Sequence, residues 1–290
     1  ASAVPLALAP AMNQQMWAHA ATIENIAALR ARGVRVLGPA SGDQACGDVG
    51  PGRMWEPGQI LDALAHPASA QLVGLRFVVS AGPTFEDLDP VRFLGNRSSG
   101  KMGFAIAAAA AAAGAAVDLI AGPVHLNTPA DCQRRDVRSA AQMREAVLAA
   151  CVGADVYIGT AAVADYRPAN RAERKLKKGP DTWSVELVRN PDIITEVAAL
   201  PARPLIVGFA AETDDVLGYA RGKLNAKGLD LVVANRVGPG IAFDCDDNAL
   251  TVLDAHGDTD LGHGSKRELA ARLINLVAAR LHRNAPADPA

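Results

Sequence analysis

Short β-rich apolar runs alternate with stretches whose apolar residues recur at helical spacing, and from residue 75 onward the alternation is regular. Strands are predicted over 75–81, 116–121, 155–160, 204–209 and 230–235, with helices over 101–113, 139–151, 192–199 and 214–228 between them. That order predicts a parallel sheet with right-handed crossovers. Turn residues Asp246-Asp247-Asn248 and His256-Gly257-Asp258 predict a terminal hairpin over 243–261. The segment 265–282 places Leu269, Leu273, Leu276, Val277 and Leu281 on one helical face. The fold class expected is α/β, a Rossmann-like, mostly parallel sheet with helices on both faces and a C-terminal β-hairpin.

Residues 1–66 read differently. An apolar run over 4–9 predicts a buried strand, followed by the loop Pro10-Ala11-Met12-Asn13, a helix near 23–32, a short strand over 34–37 and a glycine-rich stretch over 45–54. This is too little sequence for an independent α/β domain, so an incomplete α/β segment is expected ahead of the main fold. Pro67-Ala68-Ser69-Ala70 marks a linker over 67–74. The chain has neither an initiator Met nor a basic leader, and reads as beginning inside a domain.

Composition narrows the function classes. Half of the 290 residues are apolar and the formal net charge is −2, which fits a soluble globular protein with no global nucleic-acid or membrane footprint. Cys46, Cys132, Cys151 and Cys245 lack C-x-x-C spacing, against a disulfide framework or a zinc cluster, and suit a reducing cytoplasm. No apolar run reaches the ~18 residues needed to span a bilayer.

The chemistry concentrates where the strand 75–81 empties into Gly82-Pro83-Thr84-Phe85-Glu86-Asp87-Leu88-Asp89-Pro90-Val91-Arg92-Phe93-Leu94-Gly95-Asn96-Arg97-Ser98-Ser99-Gly100 before the helix from Lys101. Free N–H groups and the positive dipole end at that helix start favour a phosphate or carboxylate, and Gly100 and Gly103 let the backbone come close to it. Residues 95–102 nearly spell a P-loop, but Met102 stands where a magnesium-binding hydroxyl is required, and the strand does not lead into the glycine by a tight turn. The dinucleotide fingerprint G-x-G-x-x-G is absent. The length exceeds a median connection of about 4–6 residues, which favours a functional loop.

This loop, with Gly159-Thr160-Ala161-Ala162-Val163-Ala164-Asp165-Tyr166, Lys175-Leu176-Lys177-Lys178, Asn190-Pro191-Asp192-Ile193, Gly208-Phe209-Ala210-Ala211-Glu212-Thr213, Lys223 with Lys227, and the stretch 243–248, closely resembles phosphopantothenate–cysteine ligase of the CTP-dependent bacterial type. Pro10-Ala11-Met12-Asn13-Gln14-Gln15-Met16-Trp17 and Ala45-Cys46-Gly47-Asp48 with Arg53-Met54 resemble the C-terminal third of phosphopantothenoylcysteine decarboxylase, the flavoprotein fused ahead of the ligase in many bacteria.

The resemblance implies a set of roles. Asn96 and Arg92 stand at the reacting acyl group, and Lys175 on the triphosphate, where an ammonium offsets charge as pyrophosphate leaves. Gly159, Thr160, Ala161 and Asp165 belong to the CTP site, the backbone of Pro191, Asp192, Ile193 and Ile194 recognises the cytosine, Phe209 packs on the nucleotide, and Lys223 and Lys227 hold phosphates from one helix face. Ser98, Ser99, Gly100 and Lys101 are assigned to the substrate phosphate. In the decarboxylase part, Asn13 binds the substrate carboxylate and Cys46 donates a proton after decarboxylation, while the family's catalytic histidine and most FMN contacts lie in upstream sequence. His19, read as part of a helix, is no substitute. Asn190 is also read as a helix cap with Pro191 in the first turn.

The expected reaction joins 4′-phosphopantothenate to L-cysteine through an acyl-cytidylate, with CTP and Mg²⁺ consumed or used by the ligase and FMN by the complete decarboxylase. A ligase homodimer is implied, with a larger assembly where the decarboxylase is whole. Two alternatives of other classes are a nicotinamide-dependent oxidoreductase on the same fold and a non-catalytic nucleotide-binding module.

Overall fold

The computed structural model describes residues 4, 6–44, 47–65, 70–177, 182–238 and 245–284. Backbone contacts divide the chain into Ala1–Ala68 and Ser69–Ala290.

In the first unit β1 (Ala7–Leu8) pairs in parallel with β2 (Arg35–Val36), across α1 (Gln14–Ala18) and α2 (Ala20–Ala31). The hairpin β3 (Ala40–Asp43) and β4 (Val49–Arg53) follows, then α3 (Pro57–Ala65). The helical stretch expected near 23–32 begins earlier and is broken at His19. That residue closes α1 and caps α2, its Nδ1 accepting from the Ala21 N–H at 3.3 Å. His19 therefore lies between two helices and not within one, because its extended backbone (φ −67°, ψ 137°) interrupts the helical run.

The second unit is built on an eight-stranded sheet with helices on both sides, with two small antiparallel ladders in its loops, one within 85–95 and one within 166–189. After a 3₁₀ turn (Ala70–Leu72) come β5 (Arg76–Ala81), β6 (Phe85–Asp87), β7 (Phe93–Gly95), α4 (Lys101–Ala112), β8 (Ala116–Ala121), β9 (Cys132–Asp136) and α5 (Ala140–Cys151). The chain continues through β10 (Val156–Gly159), β11 (Tyr166–Pro168), β12 (Leu187–Arg189), α6 (Ile193–Ala198), β13 (Leu205–Glu212), α7 (Val216–Lys227), β14 (Leu231–Arg236), β15 (Asp247–Leu253), β16 (Asp258–Ser265) and α8 (Lys266–Asn284). The spatial order is β9-β8-β5-β10-β13-β14-β15-β16. Six strands run parallel and the last two form the expected hairpin, antiparallel to β14 and to each other.

Period-two alternation decides which helices each strand meets. Phe77, Val79 and Ala81 of β5 enter one core with α4 and α8, whereas Val78 faces the other core with Met143 and Val147 of α5 and Leu224 of α7. The alanine run of α4 gives a small-residue face, and Ala107 and Ala110 share their core with Leu273 and Val277 of α8.

Strand β9 is the element the hydropathy pattern misses. Cys-Gln-Arg-Arg-Asp is polar because it is the sheet's edge, where charged residues suit an exposed strand. The long segment after β5 is likewise more ordered than a plain loop. β6 and β7 form a small antiparallel ladder, closed by Phe85 and Phe93, whose rings stack with centroids 4.0 Å apart. Three-residue ladders are too short to leave a periodic signal.

Candidate active site

In an open α/β sheet, ligands settle outside the carboxyl ends of the strands where the strand order reverses. Here β5 leads by way of α4 to β8 on one side, while β10 lies on its other side. A cavity of about 300 Å³ opens at that place, lined by Ser80 at the end of β5 and by Gly159 and Thr160 at the end of β10. The loops leaving the two strands are zipped together: the Ala162 N–H donates to the Gly82 carbonyl at 2.9 Å and the Ala164 N–H to the buried Thr84 hydroxyl at 2.9 Å.

Helix α4 begins directly above these strand ends because residue 103 carries no side chain. A Cβ there would lie 2.3 Å from Thr160 Oγ1 and 2.5 Å from Ala81 Cβ. Gly100 closes the preceding loop in the left-handed region at φ 74°, a conformation glycine takes without steric cost. Ser98, Ser99, Gly100 and Lys101 all reach the cavity wall as a result.

On the opposite side α7 presents Lys223 and Lys227, one helical turn apart. The Lys223 ammonium donates to the Phe209 carbonyl. Burial, helped by the like charge of Lys227, holds its pKa below the ordinary lysine range. Lys227 Nζ lies 2.6 Å from Asp192 Oδ2. Burial works to raise the Asp192 carboxyl, but the hydrogen bond and charge of Lys227 prevail and keep it below its usual value.

Asp192 also caps α6, its side chain accepting from the Thr195 N–H at 3.3 Å. This corrects the expectation that Asn190 caps that helix. Asn190 is buried and donates to the Ala164 carbonyl at 2.8 Å while accepting from Arg167 at 3.0 Å, because helical geometry begins two residues later than Pro191 suggests. Pro191, Ile193, Ile194, Phe209, Ala161 and Asp165 complete the side of the cavity nearest α6 and β13. Asp165 is exposed at the rim, and among the described residues its carboxylate makes no side-chain hydrogen bond or ion pair, although its charge acts on Lys223.

Three predicted residues of the second unit, Asn96, Arg92 and Lys175, lie off the lining. Asn96 stands behind the wall, its amide donating to the carbonyl of Val163, which does line the cavity, at 2.9 Å. Arg92 grips Asp89 through Nε (3.0 Å) and Nη2 (2.6 Å), donates to the Leu176 carbonyl at 2.9 Å and lies over the Trp183 ring at 4.7 Å. The Asp89 carboxylate is 1% exposed and also accepts from the Leu176 N–H at 3.2 Å, so the exposed Lys175 sits beside a pinned residue. The Arg92 hydrogen bond holds the Asp89 carboxyl far below the usual carboxylate range. In the first unit Asn13 caps α1, its amide oxygen accepting from the Met16 N–H at 2.8 Å. Cys46 lies outside the described residues.

Sequence reasoning did not single out Ser80, Tyr157, Asn235 or Lys266, nor Asn248 as an individual residue, yet all five line the cavity. The Ser80 and Tyr157 hydroxyls are hydrogen-bonded at 3.0 Å in its floor. A signal existed for one: Asn235 is a buried polar residue near the carboxyl end of a strand whose first four residues are apolar. Two thiols are inert by contrast. Burial pushes Cys132 and Cys151 up to about 12. Among the described residues no group of three or more His, Cys, Asp and Glu converges as a metal cluster, and no helix is long and apolar enough to cross a membrane.

The fold is that of a Rossmann-like α/β protein with a cavity at the strand-order reversal, and the comparisons place it in a family of that class. Residues 72–281 match the model of the DNA/pantothenate metabolism flavoprotein C-terminal domain, and residues 1–69 match the flavoprotein family. The coenzyme A biosynthesis bifunctional protein CoaBC of Vibrio cholerae is 51% identical over 96% of this chain and 71% of its own length. That of Haemophilus influenzae is 50% identical over 97% of this chain and 71% of its own. The crystal structure of the C-terminal domain of a CoaBC superposes with a TM-score of 0.65 at 38% identity, covering 74% of this chain and all of that one. The chain belongs to the CoaBC family of coenzyme A biosynthesis proteins, with the enzymatic role in that pathway that membership carries.

Proposed function

We propose that residues 75–290 form a phosphopantothenate–cysteine ligase domain, joined through 67–74 to a flavoprotein segment over 1–66 that contributes to an FMN-dependent decarboxylase. The ligase uses CTP to convert the carboxylate of 4′-phosphopantothenate to an acyl-cytidylate, releasing pyrophosphate. The amine of L-cysteine then displaces CMP. The observation that carries this reading is a single cavity at the strand-order reversal, with lysines on opposing helices and a backbone of small residues, 159–162, between them.

Each part has a task. The small residues leave space for the nucleotide, Pro191 to Ile194 offer backbone groups to the base, and Phe209 packs against it. Lys223 and Lys227 offset triphosphate charge, joined by Lys175 from its pinned loop. Asn96, held on the Val163 carbonyl, and Arg92 belong to the acyl end. Holding two substrates in line supplies much of the rate, and no protein nucleophile is needed. Magnesium is bound in such sites through one or two carboxylates plus substrate phosphates, and Asp165 is the lining carboxylate that is not already in an ion pair, whereas Asp192 is held by Lys227. The ion would neutralise phosphate charge. The reading places the enzyme in the cytoplasm, acting on small molecules as a homodimer.

Pyrophosphate release tests it. The chain should release pyrophosphate with CTP, Mg²⁺ and 4′-phosphopantothenate, and form the amide once cysteine is added. Consumption of NAD(P)H would favour the oxidoreductase, and CTP binding without pyrophosphate the non-catalytic module.

A further inference from the structure

The loop that carries Lys175 is pinned at two points to the turn between β6 and β7. The Ala172 N–H donates to the Leu88 carbonyl at 2.9 Å. Leu176 is held at both of its backbone groups, its N–H donating to Asp89 Oδ2 at 3.2 Å and its carbonyl accepting from Arg92 Nη2 at 2.9 Å. Between these points Glu173, Arg174 and Lys175 form an exposed arch. Among the described residues the Lys175 ammonium has no hydrogen bond or ion pair, so its backbone is fixed at the neighbouring residue while its charge is left open.

The buried Asp89 divides its two oxygens between different tasks. Oδ1 accepts from the Val91 and Arg92 N–H groups at 2.8 and 2.9 Å, and so shapes the turn. Oδ2 accepts from Arg92 Nε at 3.0 Å and Nη2 at 2.6 Å as well as from the Leu176 N–H. The Nη2 that Asp89 orients is the same group that donates to the Leu176 carbonyl, and the guanidinium is seated on the Trp183 ring. The turn needs Oδ1 alone. Oδ2 serves the link across to residue 176, directly and through Arg92.

On the ligase reading above, we infer that Asp89 is a positioning residue: it holds the end of the arch next to Lys175 and so places that ammonium for the triphosphate. An arch of three residues with both ends fixed can turn its side chains but cannot carry its backbone away, since each residue spans at most about 3.6 Å. With the 176 end released, the arch hangs from Ala172 alone. The lysine must then be placed against chain entropy at each turnover. Asp89 acts on the chemistry through Lys175, and its effect vanishes when that lysine is gone.

The test is a double-mutant cycle on the full chain with Asp89→Asn, Lys175→Gln and the two combined. Asp89→Asn keeps the shape of the side chain but sets an NH₂ group against donors at one oxygen position or the other. Single-turnover pyrophosphate release is followed at subsaturating CTP with 4′-phosphopantothenate present and cysteine omitted, at a temperature where thermal melting shows every variant folded. Asp89→Asn alone is expected to slow release about ten- to a hundredfold, the scale of a misplaced reacting group. The double variant should match Lys175→Gln within about twofold, whereas the effects of independent residues multiply. A multiplied loss in the double variant, or undiminished release in either single one, overturns the inference. Hydrogen exchange gives a readout without chemistry: the Leu176 amide should exchange faster in Asp89→Asn, and equal exchange overturns the inference. Where Asp89→Asn fails to fold, Trp183→Ala takes its place in the cycle, since the exposed ring seats the Arg92 guanidinium. Its loss should slow release about two- to fivefold, the worth of an exposed cation–π contact, and only while Lys175 is present; an unchanged rate overturns the inference. If the parent releases no pyrophosphate with CTP, the ligase reading has failed on its own. Faster Leu176 exchange in Asp89→Asn then keeps Asp89 as the residue that places Lys175, and equal exchange overturns it.

Discussion

The Asn96 amide donates to the Val163 carbonyl at 2.9 Å, joining two loops that leave neighbouring strands of the sheet. Asn96 therefore reaches the cavity through the wall it supports. Asn96→Asp replaces the donor with a carboxylate facing a carbonyl oxygen, and on our reading also sets negative charge near the acyl centre. We expect kcat for amide formation to fall about a hundredfold, the scale of losing one transition-state donor. CTP affinity by calorimetry should stay near that of the parent. A parallel collapse of both would move Asn96 into the nucleotide site or the fold.

Lys175 is exposed, and the pinned residue is its neighbour Leu176. Lys175→Gln should therefore leave thermal stability unchanged while reducing pyrophosphate release at subsaturating CTP. Undiminished release would remove Lys175 from the site.

The clamp itself gives a pH dependence. Asp89 has its carboxyl depressed in the folded state from its ordinary value near 3.8, chiefly by the Arg92 hydrogen bond. The stability it contributes is therefore present above about pH 4, where the unfolded chain's group is ionised, and is lost as the pH falls toward the folded value. Acid unfolding followed by circular dichroism should show this loss between about pH 4 and pH 2, and Asp89→Asn should flatten that part of the curve. Arg92→Lys should also weaken the clamp, since an ammonium cannot keep the forked contact with Asp89 or the stacking on Trp183.

Gly103→Ala tests how α4 is seated. A methyl group would meet Thr160 Oγ1 and Ala81 Cβ well inside contact distance. Overpacking of this kind costs about 1–3 kcal/mol, so a lower denaturant midpoint is expected, together with weaker CTP binding as α4 moves off the strand ends. An unchanged midpoint would mean that the helix shifts freely.

The sequence alone determined the order of the main elements, because buried strands and amphipathic helices leave period-two and helical signals that survive any arrangement in space. It also identified the residues of the lining that share strong local motifs, such as Gly159 to Asp165 and the Lys223/Lys227 pair. The tertiary structure decided what local pattern does not encode. Polar β9 is a strand because the edge of the sheet tolerates charge, and β6/β7 exist because Phe85 and Phe93 meet across a turn. Asp192 caps α6 in place of Asn190, which is drawn to the Ala164 carbonyl. Arg92 is engaged on Asp89 and Trp183, whose positions only the folded loops fix. Lys266, Asn235 and Asn248 carry no shared motif, since they lie on different elements and meet only where β14, β15 and α8 come together around one cavity.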